Sequence, residues 1–429
     1  AVAPCTELVN CIIKLQYKNK RTRQGVIMKI FKRWTPAPLL YSACICLQLT
    51  ACSPAPAPGN AAIPTPTATL AGTTAMTLSI QHQSFGQLAD GREVSLYKLT
   101  NANGVALDVT NYGGIITRLV TPDAKGQFAD IVLGYDNLAQ YVENNPYFGA
   151  IIGRYGNRIA AGKFALNGTT YQLATNDGAN HLHGGVQGFD KKLWDAKTFQ
   201  QQDAVGVVLS LVSPDGDQGY PGTLKVEVTY RLTNSNELQM TFVATTDKTT
   251  VVNLTQHSYF NLAGSGSILD HQLEIPAAQI TPVAAGLIPT GELQAVEGTP
   301  FDFRTAKAIG RDIAAEDAQL KLGLGYDHNF VLKATPDDSL VLAGRVFEPT
   351  SGRVLEVWTQ EPAVQFYSGN FLDGILTHTK NGIQYIKHGA LTLETQHYPD
   401  APNQAKFPTT LLKPGETYKH TTIYKFATK

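Results

Sequence analysis

Residues 224–242 read LKVEVTYRLTNSNELQMTF. Leu224, Val226, Val228, Tyr230 and Leu232 alternate with Lys225, Glu227, Thr229 and Arg231. A period of two puts apolar side chains on one face of a strand and polar ones on the other. Asn234, Ser235, Asn236 and Glu237 then supply a turn, and Leu238, Met240 and Phe242 resume the alternation. The stretch is expected to be a β-hairpin with one buried face. Residues 207–212 extend it as the preceding strand of the same meander, and residues 94–99 and 106–110 flank a second hairpin signal, Asn-Ala-Asn-Gly at 101–104. No amphipathic helical pattern of any length competes, 312–322 being the best short candidate. Many short strands punctuated by Gly and Asn predict an all-β fold, a large β-sandwich spanning residues 78–429 without an internal repeat.

The composition agrees with a packed body and narrows what it meets. Hydrophobic residues make up 43% and charged residues 16%, a foldable balance rather than a disordered one. Eight of the 35 Lys and Arg but one of the 35 Asp and Glu lie in residues 1–52, so the rest carries 27 against 34, a net charge of −7. A mildly acidic body argues against a nucleic-acid partner. All five cysteines (Cys5, Cys11, Cys44, Cys46, Cys52) also lie in that segment, which leaves the body without a disulfide framework, a thiol nucleophile or a thiolate metal site.

The first methionine is Met28, followed by the basic Lys29, Lys32 and Arg33 and a mostly apolar run over 39–49 too short to span a bilayer. The run ends in Leu49-Thr50-Ala51-Cys52, which resembles a bacterial lipobox and implies cleavage before Cys52 and lipidation of its sulfur. An ordinary signal peptide with a chance cysteine is the alternative. Residues 1–27 are read as upstream, non-native translation, 28–52 as a lipoprotein-type signal peptide, and 53–77, rich in Pro, Ala and Thr, as an extended tether. The expectation is a periplasmic protein of the bacterial cell envelope that meets the membrane only through Cys52. Nothing in the pattern fixes an oligomeric state.

Several stretches carry residues suited to chemistry. In LTLETQHYPDAPNQ (391–404), Leu391 and Leu393 point into a core, while Thr392, Glu394 and Gln396 take the opposite face until Pro399 and Pro402 end the strand. A carboxylate at a strand end beside an irregular loop suits a proton-transfer base, the alternative being a solvated surface glutamate. In VVNLTQHSYFNLAG (251–264), a continuous strand sets Asn253, Thr255, His257 and Tyr259 on one side, a hydrogen-bonding row that reads as a wet cleft. His257 there is a proton donor near neutral pH or a structural hydrogen-bonder. His181 and His183 of NHLHGG (180–185) fall on one face if extended, which leaves open a metal pair, ligand hydrogen bonding or a structural role. No Glu follows them, and the glycine pair suits close approach of backbone or ligand. Residues 215–222 lack a third acid, with Val226 in the last-ligand position, and so do not make a calcium loop. GRYGNRI (153–159) is no phosphate loop, but offers Arg154, Asn157 and Arg158 to fork onto hydroxyls or a carboxylate, against a surface ion pair. Asp327 in GYDHNF (325–330) is a bidentate acceptor for vicinal hydroxyls or an Asx-turn.

Taken in order, GRYGNRI, NHLHGG, GYPG (219–222), NLTQHSYFNLAG (253–264), GYDHNF, QFYSGNF (365–371) and LETQHYPDAPNQ (393–404) resemble the motifs of the aldose 1-epimerases, or galactose mutarotases, across nearly all of 78–429. The resemblance implies the supersandwich form of the β-sandwich. It also implies interconversion of the α and β anomers of free aldohexoses such as galactose and glucose. Glu394 is then similar to the family's general base and His257 to its general acid, with His183, Asn157, Arg158, Tyr259, Asp327 and Gln365 at sugar-binding positions. The lipobox and tether depart from the family, many of whose members are cytoplasmic.

The chemistry needs no metal and no cofactor. A base takes the anomeric hydroxyl proton, an acid protonates the ring oxygen, the C1–C2 bond rotates and the ring closes on the other face. That calls for one base and one acid about a ring-width apart. A non-catalytic sugar-binding envelope lipoprotein on the same scaffold is the alternative from a different class, and needs neither partner of the Glu394–His257 pair. A sugar-phosphate enzyme would want more cations than Arg154 and Arg158, and a glycosidase would want paired carboxylates.

Overall fold

The computed structural model describes residues 77–333 and 339–429, which all fall within one unit. The readings of 1–27, 28–52 and nearly all of 53–77 therefore concern residues outside those described. Among the described residues the first strand is Ser79–Gln87.

The alternating stretch forms as read. Leu224–Thr233 pairs antiparallel with Glu237–Thr246, with Leu232 opposite Leu238, and Ala204–Ser213 precedes them in the meander. Glu93–Thr100 pairs with Ala106–Thr110 as the second hairpin. Along this hairpin every other side chain is buried: Leu224, Val226, Val228 and Tyr230 lie in one hydrophobic cluster with Leu238, Met240 and Phe242. Each such side chain contributes about 1.5–3 kcal/mol on leaving water.

The strands build an antiparallel sheet of nine, whose order runs Asp195–Gln200, Ala204–Ser213, Leu224–Thr233, Glu237–Thr246, Tyr418–Thr428, Arg353–Thr359, Val341–Phe347, Gln272–Glu274, Lys307–Ala308. The C-terminal strand Tyr418–Thr428 thus sits inside the sheet, paired with Glu237–Thr246 on one side and Arg353–Thr359 on the other. A five-stranded sheet carries Gln279–Thr281, Asp327–Val331, Ala363–Tyr367 and, at its edge, Thr392–Gln396. A second sheet of five covers residues 79–130. Leu391, Leu393, Val364 and Phe366 share one core cluster with Leu355 and Val357 of the nine-stranded sheet, and the Thr395 hydroxyl meets that of Thr422 at 2.6 Å. The large all-β sandwich is therefore the observed architecture.

Two expectations change. The helical candidate at 312–322 yields only the short helix Ala318–Gly323, N-capped by the Asp317 carboxylate, and a second short helix, Leu138–Glu143, appears where none was read. The supposed strand over 251–259 breaks into Thr250–Val251 and Thr255–His257. Both faces of this segment are buried, so there is no continuous wet row: Asn253 and Thr255 are enclosed within the protein.

Candidate active site

Strand register places the carboxylates. Glu394 lies opposite Gln365, and Asp327 opposite Tyr367, on neighbouring strands of the five-stranded sheet. Because Leu393 and Thr395 turn toward the nine-stranded sheet, Glu394 turns the other way. It is no surface glutamate, being 2% exposed. His257, at the end of Thr255–His257 and 4% exposed, faces it with Nε2 3.4 Å from Glu394 Oε1. The acid and base candidates therefore touch, rather than standing a ring-width apart.

Both groups line a cavity of about 290 Å³, near the lower bound for small-molecule sites. Asn157, Arg158, His183, Tyr259 and Asp327 line it too. Gln365 is not in the wall: its Nε2 donates to Asp327 Oδ1 at 2.7 Å and backs that carboxylate from behind. Arg158 Nε donates to Asp177 Oδ2 at 2.7 Å, so an ion pair steadies its guanidinium at the cavity.

Asn157 and His183 fix one another. The His183 N–H donates to the Asn157 carbonyl and the Asn157 N–H donates to His183 Nδ1, each at 3.1 Å. Both residues have positive φ, 62° and 49°, a conformation that persists only where surroundings enforce it. The following glycine is obligatory, since a Cβ on Gly184 would lie 1.8 Å from the Gly153 carbonyl oxygen. The close backbone approach read from the glycine pair is thus present.

His183, His257 and Glu394 offer donor atoms within 4.8 Å of one another. The donor chemistry is nevertheless wrong for a metal. With Nδ1 accepting from the Asn157 N–H, the His183 ring proton sits on Nε2, so the ring presents a hydrogen-bond donor and no lone pair. His181 does not join it. Its Nδ1 meets the Ala174 carbonyl at 2.7 Å and its Nε2 the Tyr220 hydroxyl at 2.6 Å, so the two histidines of NHLHGG part company and the first is structural. Arg154 is likewise buried away from the cavity. It donates to the carbonyls of Ser213, Pro214, Pro221 and Gly222 and to the Ser213 hydroxyl, tying GRYGNRI to GYPG.

Burial dominates the electrostatics. It raises the Glu394 carboxyl to about 8, with the Asp327 carboxylate adding to the effect, and lowers the His257 imidazole to about 4. Burial also holds His183 well below its ordinary range and pushes Asp327 up. Glu394 Oε1 accepts from the Thr392 hydroxyl at 2.9 Å. A carboxyl and an imidazole in contact, with opposite shifts, form a couple poised to hold one proton between them over the neutral range.

The sequence reading missed an aromatic wall. Tyr147 lies 4.6 Å from the His183 ring and 5.8 Å from that of His257. His257 stacks on Tyr259 at 5.1 Å, Tyr259 meets Tyr367 edge-on at 6.0 Å, and Tyr367 stacks on Phe371 at 5.9 Å. Phe371 and Ile375, 55% and 75% exposed, stand at the mouth. Tyr367 and Phe371 belong to QFYSGNF, so the motif that supplied Gln365 already contained them.

Residues 95–425 match the family described as aldose 1-epimerase. The chain belongs to that family. It is 47% identical to a galactose mutarotase of Bos taurus over 82% of this chain and 99% of that one. It is 40% identical to an aldose 1-epimerase of Escherichia coli K12 over 79% and 96%. Among solved structures it is similar to a galactose 1-epimerase from Lactobacillus acidophilus, with a TM-score of 0.72 and 30% identity over 82% of this chain and 99% of that one. As an aldose 1-epimerase the protein is an isomerase that interconverts the anomers of aldohexoses, and its partner is a monosaccharide.

Proposed function

We propose that Glu394 is the general base and His257 the general acid of an aldose 1-epimerase acting on free galactose and glucose. The observation that carries the reading is their contact at 3.4 Å inside one cavity. The anomeric hydroxyl and the ring oxygen are bonded to the same carbon, so an acid and a base that touch suit the pair better than groups a ring apart. Glu394 takes the hydroxyl proton, the bond between C1 and the ring oxygen breaks as C1 becomes a carbonyl, and His257 delivers a proton to that oxygen; after C1–C2 rotation the new hydroxyl returns its proton to His257 and adds to the other face of C1 while Glu394 reprotonates the carbonyl oxygen. His183 Nε2–H donates near the ring oxygen, Arg158 offsets negative charge, and Asp327, held by Gln365, with Asn157 and Tyr259 grips the sugar. Two further carboxylates line the cavity: Asp327 is engaged by Gln365 and assigned to hydroxyls, and Asp373 accepts from the Ile375 N–H at 3.1 Å, so neither is assigned to glycosidic chemistry.

A panel of freshly dissolved single anomers followed by polarimetry tests the substrates. Galactose and glucose should reach equilibrium faster with enzyme than without. Tight binding of both without acceleration would favour the non-catalytic sugar-binding lipoprotein instead.

The place of action proposed is the bacterial periplasm, with the chain held at the membrane through a lipid on Cys52. Support comes from the Leu49-Thr50-Ala51-Cys52 stretch and the Pro/Ala/Thr-rich tether after it. Among the described residues no helix is long and apolar enough to cross a membrane. Mass spectrometry of the mature protein made in a bacterial host should find Cys52 first and carrying acyl mass; an N-terminus elsewhere would exclude the anchor.

A further inference from the structure

Three of the segments that supply the acid/base and sugar-contacting groups, remote from one another in sequence, are joined by one enclosed side chain. Residues 153–159 bring Asn157 and Arg158, residues 253–259 bring His257 and Tyr259, and Thr392–Gln396 brings Glu394. Asn253 is 0% exposed and lies outside the cavity wall. Its N–H donates to the Arg154 carbonyl at 3.1 Å, and its carbonyl accepts from the Gly156 N–H at 2.7 Å. Its side-chain Nδ2 donates to the Gly156 carbonyl at 3.2 Å and the His397 carbonyl at 3.4 Å, while Oδ1 accepts from the His397 N–H at 2.9 Å. Both ends of the amide are thus spent on backbone of the other two segments.

The packing around Gly156 marks the same junction independently. A Cβ there would lie 3.2 Å from the Thr255 methyl and 3.3 Å from the Asn253 carbonyl oxygen, both on the second segment, and 3.7 Å from Gln396 Oε1 on the third. The three segments therefore meet closely enough that a methyl group would press on the one bearing Asn253. Gly156 immediately precedes Asn157, Asn253 lies four residues before His257, and His397 three after Glu394.

We propose that Asn253 is a positioning residue that sets the distance between Glu394 and His257 by clamping the three segments together. This rests on the acid/base assignment above. Loss of the side-chain amide leaves the part-buried His397 N–H and the buried Gly156 carbonyl without that partner and frees the strand bearing Glu394 to drift. A displacement of about 1 Å at a reacting centre costs on the order of 10²-fold in rate.

The test compares Asn253→Ala with the wild type by kcat and KM for α-galactose. It also measures affinity for 1,5-anhydrogalactitol, a sugar without an anomeric hydroxyl that binds but cannot react. We expect kcat to fall about 10²-fold, with KM and the anhydro-sugar Kd each within about threefold. A kcat within about threefold of wild type overturns the proposal, and so does a parallel loss of rate and affinity, which would mean general loosening of the cavity. Should circular dichroism show that Asn253→Ala does not fold, Gly156→Ala decides by the same criteria, since it presses on the junction without deleting a hydrogen bond. Full activity in Glu394→Gln would instead remove the acid/base assignment, an outcome distinct from normal kcat in Asn253→Ala.

Discussion

Glu394→Gln is expected to fold as the wild type does and to lose almost all anomer interconversion. The substitution keeps side-chain shape in a position that is 2% exposed, and its amide oxygen still accepts from the Thr392 hydroxyl. It also removes a carboxyl that burial, with Asp327 beside it, keeps from ionising as it would in the unfolded chain, so thermal stability near neutral pH should be unchanged or higher. An amide cannot take up the anomeric proton, and a positioned proton-transfer group is worth roughly 10²–10⁴-fold. Polarimetry on fresh α-galactose, corrected for spontaneous mutarotation, reads this directly. Near-normal turnover by a folded variant would defeat the assignment of Glu394 as base.

The second large effect concerns His257 and pH. Catalysis needs Glu394 ionised and His257 protonated, the less populated of the two ways of placing one proton on the couple, since burial leaves that proton mostly on Glu394. Burial raises the Glu394 carboxyl to about 8 and lowers the His257 imidazole to about 4. Below about 4 the couple gains a second proton and the base is lost; above about 8 it loses its only proton and the acid is lost. The pH profile of kcat/KM should be a bell with limbs near those values, belonging to the couple rather than to either residue alone. His257→Asn is expected to lower kcat/KM by roughly 10²–10⁴-fold and to abolish the descending alkaline limb, because only ionisation of Glu394 then matters. The residual rate should rise through the Glu394 range and level off. A bell that survives the substitution would show that another group is the acid.

How far these residues could be read beforehand depends on how local their causes are. The hairpin at 224–242 was legible because period-two burial is written into adjacent residues, and Glu394 because Leu391 and Leu393 commit their own face to the core. His257 was legible as a candidate, but its surroundings were not. Alternation assumes an unbroken pleat, and the chain leaves strand geometry between Val251 and Thr255. Arg154 resembled a ligand-binding arginine since its partners, the carbonyls at 213–214 and 221–222, lie some sixty residues away. Likewise Tyr147 reads as an ordinary core aromatic in NNPYFG; only its φ of 66° and its contacts with both imidazoles reveal that it closes the cavity. Motif order conveyed the site better than pattern did, because it carries the long-range partners that local periodicity omits.

The central place of Tyr418–Thr428 in the nine-stranded sheet bears on how the protein comes into being. These residues follow every other strand of the sheet in the chain, yet they join the meander ending at Thr246 to the half that contains Arg353–Thr359. Until Tyr418–Thr428 has been made, two half-sheets wait with open hydrogen-bonding edges, the kind of surface that invites association with other chains. Closure of the sheet therefore waits on this strand, and a nascent chain arrested before it would remain incomplete however well its earlier hairpins had formed.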